Sequence, residues 1–393
     1  MTVRVIRARL WEVALPLRVP FAISGGVMRV RRSLIVELLS ADGAAGFGES
    51  APFEQPFYSS ETVSSAKALL TELLLPRLVG AQLERPPDAH EVLVRGVRGN
   101  PFARAGAETA VWDLFAASEG ASLARLLDRE LETLGATPAL RGSSNAIECG
   151  VALGIPEDGD PETLRGWTRG ALRDGYRRVK VKIRPGWDVA AIKAARAAMA
   201  DEGRTVPLWA DANGAYDLRA HARDLRRLDE LGLLFIEQPL QHDDLIDHAS
   251  LSRALATPIC LDESLRDARW ARHALDIRAS RIWNVKVQRL GGLAEALRVY
   301  ALAAAEGAEL WGGTMPESGI GARTIMALGA LPRFVYPSDV EPSARWYEPD
   351  TDPVELVMGA DGTMPVPTEH GVAALGVGAA LARRGRVLWD SGD

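Results

Sequence analysis

The ten residues VKVKIRPGWD, at positions 179–188, predict a β-strand that carries two lysines on the same face. Valine and isoleucine alternate here with Lys180 and Lys182, and a period of two is typical of a strand whose two faces differ. The apolar residues would pack on one side of the strand, and both lysines would point to the other. In an ordinary sheet such a lysine face is simply solvated, so its meaning depends on what the rest of the chain places beside it.

Seven further apolar runs predict that this strand belongs to a barrel of parallel strands. Amphipathic segments such as DVAAIKAARAAMADEG and GGLAEALRVYALAAAEG separate the runs, as the helices of βα units would. Eight units are typical of a (β/α)8 barrel of roughly 200 residues, and the strand count favours it over an open doubly wound sheet. In chain order the runs are ECGVALGI, YRRVKVKI, TVPLWADA, LLFIEQP, TPICLDES, RIWNVKV, AELWGG and FVYPSD.

The pattern before and after these runs predicts an α/β chain of three parts. Residues 1–132 begin with strands and a loop rich in glycine and proline, and they continue with helices, which is typical of a separate α+β domain. Residues 133–341 would form the barrel. Residues 342–393 are rich in loops, and we expect them to pack back on the first domain.

Composition and charge disfavour several classes of protein. The 393 residues are 47% hydrophobic and 25% charged, with a net charge of −6 that is spread along the chain. This balance disfavours nucleic acid or an anionic membrane as the partner. No run approaches the 18 or so apolar residues of a membrane span, and charges interrupt the N-terminal stretch where a signal peptide would be apolar. The two cysteines, Cys149 and Cys260, lack a CxxC spacing, so we expect a cytoplasmic protein.

Charged side chains stand near the ends of five consecutive runs, where the chemistry of a barrel is found. Asp211, Glu237 and Asp262 follow one another at intervals of about 25 residues, roughly one βα unit, so neighbouring strands would bring them to one mouth. Three carboxylates make an oxygen-rich site for Mg²⁺, or for Mn²⁺ or another divalent ion. In chain order the candidate site residues are Lys180, Lys182, Asp211, Asn213, Glu237, Asp262, Glu263 and Lys286.

Lysines on both sides of a divalent cation suit the removal of a proton from a carbon next to a carboxylate. Loss of that proton leaves an enediolate with two negative charges, which a nearby cation stabilises. Lys182 on the second strand and Lys286 on the sixth lie roughly across the barrel from each other, so each would face one side of the substrate. Burial and the like charge of Lys180 would lower the pKa of Lys182 and favour its action as a base.

The chain resembles the enolase superfamily, and in particular its muconate-lactonising subgroup. The motifs VKVKIRPGWD, DANGAYD, FIEQPL, PICLDES and NVKVQRLGG match in order and spacing. Within the subgroup, LPLRVPFAISGG, GFGESAPFEQPFYSSE, AETAVWDLFA, WGGTMPESGIG and MPVPTEHGV are most similar to o-succinylbenzoate synthases and N-succinylamino acid racemases. Superfamily sites combine a lysine or histidine base with Mg²⁺. The resemblance covers nearly the whole chain and implies that the first domain caps the barrel.

The resemblance implies a metal site flanked by two bases. The Mg²⁺ ligands would be Asp211, Glu237 and Asp262. Lys182 would be the base on one face of the substrate, and Lys286 would be the base on the other.

The resemblance also implies residues that position and enclose the substrate. Lys180 and Asn213 would lie beside the substrate carboxylate. Glu263 would contact the residues of the site rather than the substrate itself. The loop Phe21–Gly26 and the stretch near Tyr58 would close over the substrate. Such a lid excludes water from the enediolate.

Three positions depart from the usual motifs of the family and leave the substrate open. Ala152 stands in GVALGI where the family commonly has a serine, and Thr314 replaces the second glycine of a GGM motif. Val287 and Gln288 follow the sixth-strand lysine, where the family usually reads NIKPGR. These changes remove no catalytic group, but they could reshape the pocket.

Several activities fit the same residues. Two lysines on opposite faces suit racemisation of an N-succinyl or other N-acyl amino acid, and the same set suits dehydration to o-succinylbenzoate. A dipeptide epimerase or a muconate-type cycloisomerase is the alternative, although the ending PSARWYEPD is more similar to the synthase and racemase family. A barrel that binds metal and ligand without turnover is least favoured, because both lysines are retained. The expected partner is a small carboxylate, and barrels of this family often form homo-oligomers.

Overall fold

The computed structural model describes residues 2–23 and 26–392 of the chain. The predicted lid loop Phe21–Gly26 is therefore described only in part, because Ser24 and Gly25 lie outside the described residues. Within the described residues, an antiparallel sheet with helices precedes a barrel of parallel strands. The predicted fold class is confirmed.

The strands of the described residues form three sheets. An antiparallel sheet contains the first four strands and the last one, seven parallel strands form the barrel, and a two-stranded ribbon joins the remaining two. In chain order the strands are β1 (Val3–Ile23), β2 (Gly26–Ser40), β3 (Ala45–Ser50), β4 (Gln82–Leu83), β5 (Ala146–Glu148), β6 (Gly150–Leu153), β7 (Arg178–Lys182), β8 (Leu208–Asp211), β9 (Ile236–Glu237), β10 (Ile259–Leu261), β11 (Ile282–Val285), β12 (Glu309–Gly312), β13 (Thr363–Pro365) and β14 (Arg386–Asp390).

Helices connect the barrel strands and cover the N-terminal sheet. They are α1 (Val63–Leu69), α2 (Leu75–Leu78), α3 (Asp88–Val94), α4 (Pro101–Glu119), α5 (Leu123–Thr133), α6 (Pro161–Arg173), α7 (Val189–Asp201), α8 (Ala222–Asp229), α9 (Leu245–Ala254), α10 (Ala268–Asp276), α11 (Val287–Leu290), α12 (Leu293–Glu306), α13 (Gly319–Gly329), α14 (Ser343–Trp346) and α15 (Val377–Arg384). A π-helical turn spans Leu70–Leu74, and 3₁₀ turns span Pro138–Leu140 and Val372–Leu375. In the described part of the chain, no helix combines the length and apolarity that crossing a membrane requires.

The N-terminal sheet is buried on both faces because apolar residues occupy both sides of its long strands. Leu10 of β1 lies opposite Val36 of β2, and both belong to the main hydrophobic core with residues of α4. Trp11 and Ile35, one position along, point to the other face and pack in a second core with Leu381 of α15. β14 pairs with the outer edge of β1, so the end of the chain returns to its beginning.

The parallel barrel closes through an irregular eighth segment. Strands β6 to β12 neighbour one another in chain order, but the eighth predicted run is not a regular strand. Residues 333–339 fill its place: the N–H of Val335 donates to Leu310 O in β12 (3.0 Å), and Ser338 O accepts from the first residue of β6 (2.8 Å). Pro337 has no N–H to continue the ladder, which accounts for the interruption of regular pairing.

Two buried glutamates, one from the N-terminal sheet and one from the helix that covers it, hold the N-terminal domain against the barrel. Glu108 of α4 accepts hydrogen bonds from the backbone of Leu293 (2.6 Å) and Ala294 (2.8 Å) at the start of α12. Glu49 of β3 accepts in the same way from the backbone N–H groups of Ser318 (3.1 Å) and Gly321 (3.0 Å), at the start of α13. Each carboxylate therefore caps a barrel helix whose first N–H groups would otherwise lack partners.

Candidate active site

The predicted charged residues meet at the carboxyl ends of strands β7 to β11. The parallel register places Lys182 of β7 beside Asp211 of β8, and Asp211 beside Glu237 of β9. In chain order, the side chains at these strand ends are Lys180, Lys182, Asp211, Glu237, Asp262 and Lys286. Each of the six residues is at most 6% exposed. Six buried charges in one place are costly unless they compensate one another or serve a reaction.

Three carboxylates form a compact cluster that fits a divalent cation. One oxygen from each of Asp211, Glu237 and Asp262 lies within 4.8 Å of the other two, and all three residues are fully buried. Burial and the neighbouring Asp211 raise the pKa of Glu237 to about 8, because several negative charges crowd one place. Carboxylate oxygens are the donors that Mg²⁺ and similar hard cations prefer. The donor set therefore fits the metal expected from the sequence.

Lys286 lies against Asp262 and a tyrosine of the N-terminal region. Its Nζ donates hydrogen bonds to Asp262 Oδ2 (2.8 Å) and to Tyr58 OH (3.1 Å), and Arg289 pairs with the other oxygen of Asp262. Burial opposes the charge on Lys286, but Asp262 outweighs it and holds the lysine pKa well above its ordinary value. Burial also opposes the charge on Asp262, whose pKa Lys286 and Arg289 nevertheless hold down at about 2. Asp262 therefore favours the charged form of Lys286, and a divalent cation bound to Asp262 would weaken that preference, as action of Lys286 as a base requires.

Lys182 lies on the other side of the carboxylate cluster. Its Nζ donates to Asp211 Oδ2 (2.6 Å) and to Asn213 Oδ1 (2.9 Å). The amide of Asn213 in turn donates to Glu263 Oε1 (2.8 Å), and burial together with Asp262 raises the pKa of Glu263 to about 7. Asn213 also has a positive φ of 45°, a conformation that asparagine adopts more readily than most residues. These contacts orient the Asn213 amide toward the lysine.

Lys180 is paired with an aspartate from the irregular eighth segment. Its Nζ donates to Asp339 Oδ2 (2.5 Å), and it lies 3.4 Å from Asp211 and 3.5 Å from Glu237. Arg178 pairs with the other oxygen of Asp339. Burial opposes the charge on Lys180, but Asp339 and Glu237 hold its pKa well above the ordinary value. Lys180 therefore keeps a fixed positive charge, and its place beside a substrate carboxylate stays a prediction.

Apolar side chains complete a cavity around Lys182 and Lys286. They come from β1, from the loop after β3, from the loop after β12 and from α14. The aromatic rings of Phe21 and Trp346 pack edge to face, with centroids 4.8 Å apart. Side chains so placed would limit the access of water to the space between the two lysines. The apolar residues that line the cavity are Phe21, Phe53, Met315 and Trp346.

Sequence reasoning missed several residues of this site. The amide of Asn284 donates to Glu237 Oε1 (2.8 Å), and the strand period could have revealed it, because Asn284 stands two residues before Lys286. Arg289 follows the same lysine by one helical turn, but no residue pattern marks it as a partner of a distant aspartate. Glu341 lines the cavity from beyond the eighth segment, where Asp339-Val340-Glu341 is an incomplete match to the acidic D-x-D motif of dipeptide epimerases.

Two models of known families match the chain. Residues 5–128 match the mandelate racemase / muconate lactonizing enzyme N-terminal domain. Residues 164–377 match the enolase C-terminal domain-like model. The two matches follow the same order as the N-terminal sheet and the barrel.

Relatives are similar along nearly the full chain. An N-succinylamino acid racemase from Thermus thermophilus is 44% identical over 94% of this chain and 94% of its own. An o-succinylbenzoate synthase from Geobacillus kaustophilus is 40% identical over 95% of this chain and 93% of its own. An L-Ala-D/L-Glu epimerase from Bacillus subtilis is more distant, at 26% identity over 84% of this chain and 86% of its own.

A solved structure shows the same architecture. An enolase-superfamily member from Listeria innocua is 34% identical, with a TM-score of 0.85 over 99% of this chain and 98% of that one. The matched domains, the relatives and the shared architecture agree with one another. The chain therefore belongs to the mandelate racemase / muconate lactonizing enzyme family of the enolase superfamily, together with enzymes named N-succinylamino acid racemase and o-succinylbenzoate synthase.

Proposed function

We propose that the protein moves the proton on the α-carbon of an N-acylated amino acid and so interconverts its two enantiomers. One observation carries this proposal: Lys182 and Lys286 enter a single cavity from the second and sixth strands of the barrel, on either side of the carboxylate cluster. N-succinyl amino acids are the first substrates to test, because a relative is named for them.

The two lysines would act on opposite faces of the α-carbon. One lysine removes the proton, and the other, already protonated, delivers a proton to the opposite face, which inverts the centre. Their roles exchange when the other enantiomer binds. Lys180, whose charge Asp339 keeps fixed, adds positive potential where the enediolate forms. A divalent cation held by the three carboxylates would supply further positive charge to the substrate carboxylate.

Dehydration to o-succinylbenzoate is the second candidate, and the names of several relatives favour it. In that reaction Lys182 would remove the α-proton and assist the loss of hydroxide. Lys286, which Asp262 and Tyr58 hold in place, would stabilise negative charge without exchanging a proton. A dipeptide epimerase or a muconate-type cycloisomerase would need the same lysines but corresponds to more distant relatives. A barrel that only binds a metal and a ligand, without catalysis, would not explain why Lys182 and Lys286 face one cavity.

Proton exchange in D₂O tests the proposal directly. The purified protein with Mg²⁺ is mixed with N-succinyl amino acids, N-acetyl amino acids, Ala-Glu dipeptides and the dehydration substrate of o-succinylbenzoate synthesis, and proton NMR follows each. We expect the α-proton signal of an N-acyl amino acid to disappear while its optical rotation decays. If only the dehydration substrate reacts, the proposed racemisation is wrong and dehydration to o-succinylbenzoate is the function. No reaction with any of the four classes would refute both.

We further propose that Mg²⁺ is the ion held by Asp211, Glu237 and Asp262. Removal of divalent ions with a chelator should silence the exchange, and Mg²⁺ should restore it; Mn²⁺ is the natural substitute to compare. Calorimetric titration gives a readout that does not depend on activity. Glu237→Gln should weaken Mg²⁺ binding, whereas unchanged binding would contradict the assignment of the ligands.

The remaining sequence-based expectations are proposals of the same kind. The chain would divide into residues 1–132, 133–341 and 342–393, which limited proteolysis can test. A cytoplasmic location would suit Cys149 and Cys260, which are free thiols and both buried. Light scattering of the purified protein would show whether it forms the homo-oligomers expected of the family.

A further inference from the structure

The side chain of Gln288 joins the barrel to the N-terminal domain close to Lys286 in the chain. Gln288 lies in α11 and is only 2% exposed. Its Oε1 accepts a hydrogen bond from the backbone N–H of Ala51 (3.0 Å), and its Nε2 donates to the backbone carbonyl of Glu49 (2.7 Å). One buried amide therefore pairs with both an N–H and a C=O at the end of β3, as the backbone of a neighbouring strand would.

The short helix that Gln288 anchors is the one that begins at Lys286. Lys286 is the N-cap of α11, which spans only the four residues Val287–Leu290. A helix of one turn has little stability of its own, so its position depends on the contacts that its side chains make. The N–H of Leu290 donates to Lys286 O (3.1 Å) within the same turn. A shift of Gln288 would therefore move the backbone from which the Lys286 side chain extends.

The backbone that Gln288 contacts also leads to Lys286 from the other side. Ala51 begins the loop after β3, and this loop runs on to Tyr58, whose OH accepts from Lys286 Nζ (3.1 Å). Arg31 donates to the carbonyl of Ala51, while Gln288 accepts from its N–H, so both backbone groups of this residue are paired. Gln288 thus holds the start of the loop whose tyrosine contacts the lysine.

Lys182 is placed by contacts of a different kind. It ends β7 in regular parallel pairing with Asp211 of β8. In the described part of the chain, the hydrogen bonds of its Nζ go to Asp211 and Asn213, which both belong to the barrel. A change at the boundary between the N-terminal domain and the barrel should therefore affect Lys286 and spare Lys182.

We propose that Gln288 is a positioning residue for Lys286, which it holds in reach of the substrate by tying α11 to the N-terminal domain. This inference rests on the proposed function and deepens it, because it concerns only one of the two faces of the α-carbon. Position 288 is also one at which the chain departs from the usual motif of the family. A misplacement of about 1 Å can slow a reaction about 100-fold, so a modest shift of Lys286 would be measurable.

The variant Gln288→Met tests this role because it keeps the length of the side chain and removes both hydrogen bonds. Proton NMR in D₂O with Mg²⁺ follows the loss of the α-proton from pure L- and pure D-enantiomers of an N-acyl amino acid. Lys182→Ala identifies the enantiomer that faces Lys286, since Lys286 is the base that remains. We expect Gln288→Met to slow proton loss from that enantiomer about 10- to 100-fold more than from its mirror image.

Two further variants separate positioning from a general loss of structure. In Gln288→Glu a carboxylate oxygen can still accept from Ala51 but nothing donates to Glu49 O, so we expect a smaller loss with the same preference. Glu108→Ala is the matched control, because it also removes two buried hydrogen bonds between the N-terminal domain and the barrel, at the start of α12. It should leave the ratio of the two enantiomers unchanged. Each ratio is measured within one protein, so a loss of folded protein cancels.

The outcomes distinguish this inference from the function on which it rests. Equal slowing of both enantiomers in both Gln288 variants is what a merely structural contact predicts, and it would overturn the inference while the racemase function stands. A larger loss for the enantiomer that faces Lys182 would overturn it as well. Absence of exchange by the wild-type protein with every N-acyl amino acid would count against the proposed function and the inference together.

Discussion

Replacing either of the two proposed catalytic lysines, Lys182 and Lys286, by alanine should strongly reduce racemisation and yet spare proton exchange in one enantiomer. In Lys182→Ala, Lys286 can still remove the proton of the enantiomer that faces it and return a deuteron to the same face. In Lys286→Ala the remaining base serves the other enantiomer. The two variants should therefore be mirror images in their stereochemical preference.

The other titratable groups of the cavity bear on the size of the loss. Besides Lys182 and Lys286, the titratable side chains that line the cavity in the described part of the chain are Tyr58, Lys180, Asp339 and Glu341. Burial raises the pKa of Tyr58 far above neutrality, and Asp339 keeps Lys180 charged despite its burial. Asp339 is itself paired with Lys180 and Arg178, and the carboxylate in the cavity whose pKa lies near neutrality is Glu341, at about 7. Each variant should lose racemisation by about 10²- to 10⁴-fold, the usual contribution of a positioned acid or base.

The assay follows the loss of the α-proton from pure L- and pure D-substrate in D₂O, with each variant and with Mg²⁺ present. Thermal unfolding and Mg²⁺ titration check that the fold and the metal site are intact, and Lys193→Ala on the exposed side of α7 is the matched control. Equal exchange of both enantiomers by one variant would refute the opposite-face assignment. Full loss of turnover in Lys182→Ala beside partial loss in Lys286→Ala would favour dehydration instead.

Three further changes test contacts of the site and the fold. Tyr58→Phe removes the hydroxyl that accepts from Lys286, and we expect kcat to fall several-fold with an unchanged melting temperature. Gly313→Ala would put a methyl group 2.2 Å from Asn284 Oδ1 and 2.8 Å from Lys286 Cε, so exchange should fall sharply while circular dichroism stays native. Glu108→Ala removes the cap of α12 and should cost about 2–3 kcal/mol in urea unfolding. Burial raises the pKa of Glu108 from 4.5 to about 7. The stabilisation of the folded protein by Glu108 is therefore full below pH 4.5 and declines as the pH rises through 7. The difference in unfolding free energy between the wild-type protein and Glu108→Ala should become smaller over the same pH range.

The regular part of the barrel could be predicted from the sequence because its signals are local. The alternation of apolar residues with lysines identifies β7. The interval of one βα unit predicts that Asp211, Glu237 and Asp262 meet at one mouth of the barrel, and their carboxylate oxygens do lie close together. The sequence also predicts that the eighth run is a strand like the others, which is wrong. Pro337 interrupts its hydrogen bonding, and the ring closes there through isolated bridges.

The contacts of the charged groups could not be predicted in the same way. Lys180 lies 159 positions from Asp339, and Lys286 lies 228 positions from Tyr58, so only the folded chain brings these partners together. No period or motif encodes such a distance. Glu341 likewise accepts from the backbone N–H of Ala152, which lies 189 positions away in the sequence.

Residues that the sequence marks by local signals and residues that only the fold brings together have different roles in the molecule. The groups to which we assign proton transfer stand on strand ends, whose spacing is rigid and whose side chains alternate, so this assignment can be made from the sequence. The groups that meet the rest of the substrate stand on the eighth segment, on the loop after β12 and on the N-terminal region, where the backbone is irregular and the partners are remote. A change such as serine to alanine at position 152 alters no signal of the fold, yet it alters the wall that Glu341 shares. Two chains of this family can therefore agree in every strand-end motif and still differ in the walls that meet the rest of the substrate, so the substrate has to be argued from the contacts of those walls rather than from the motifs.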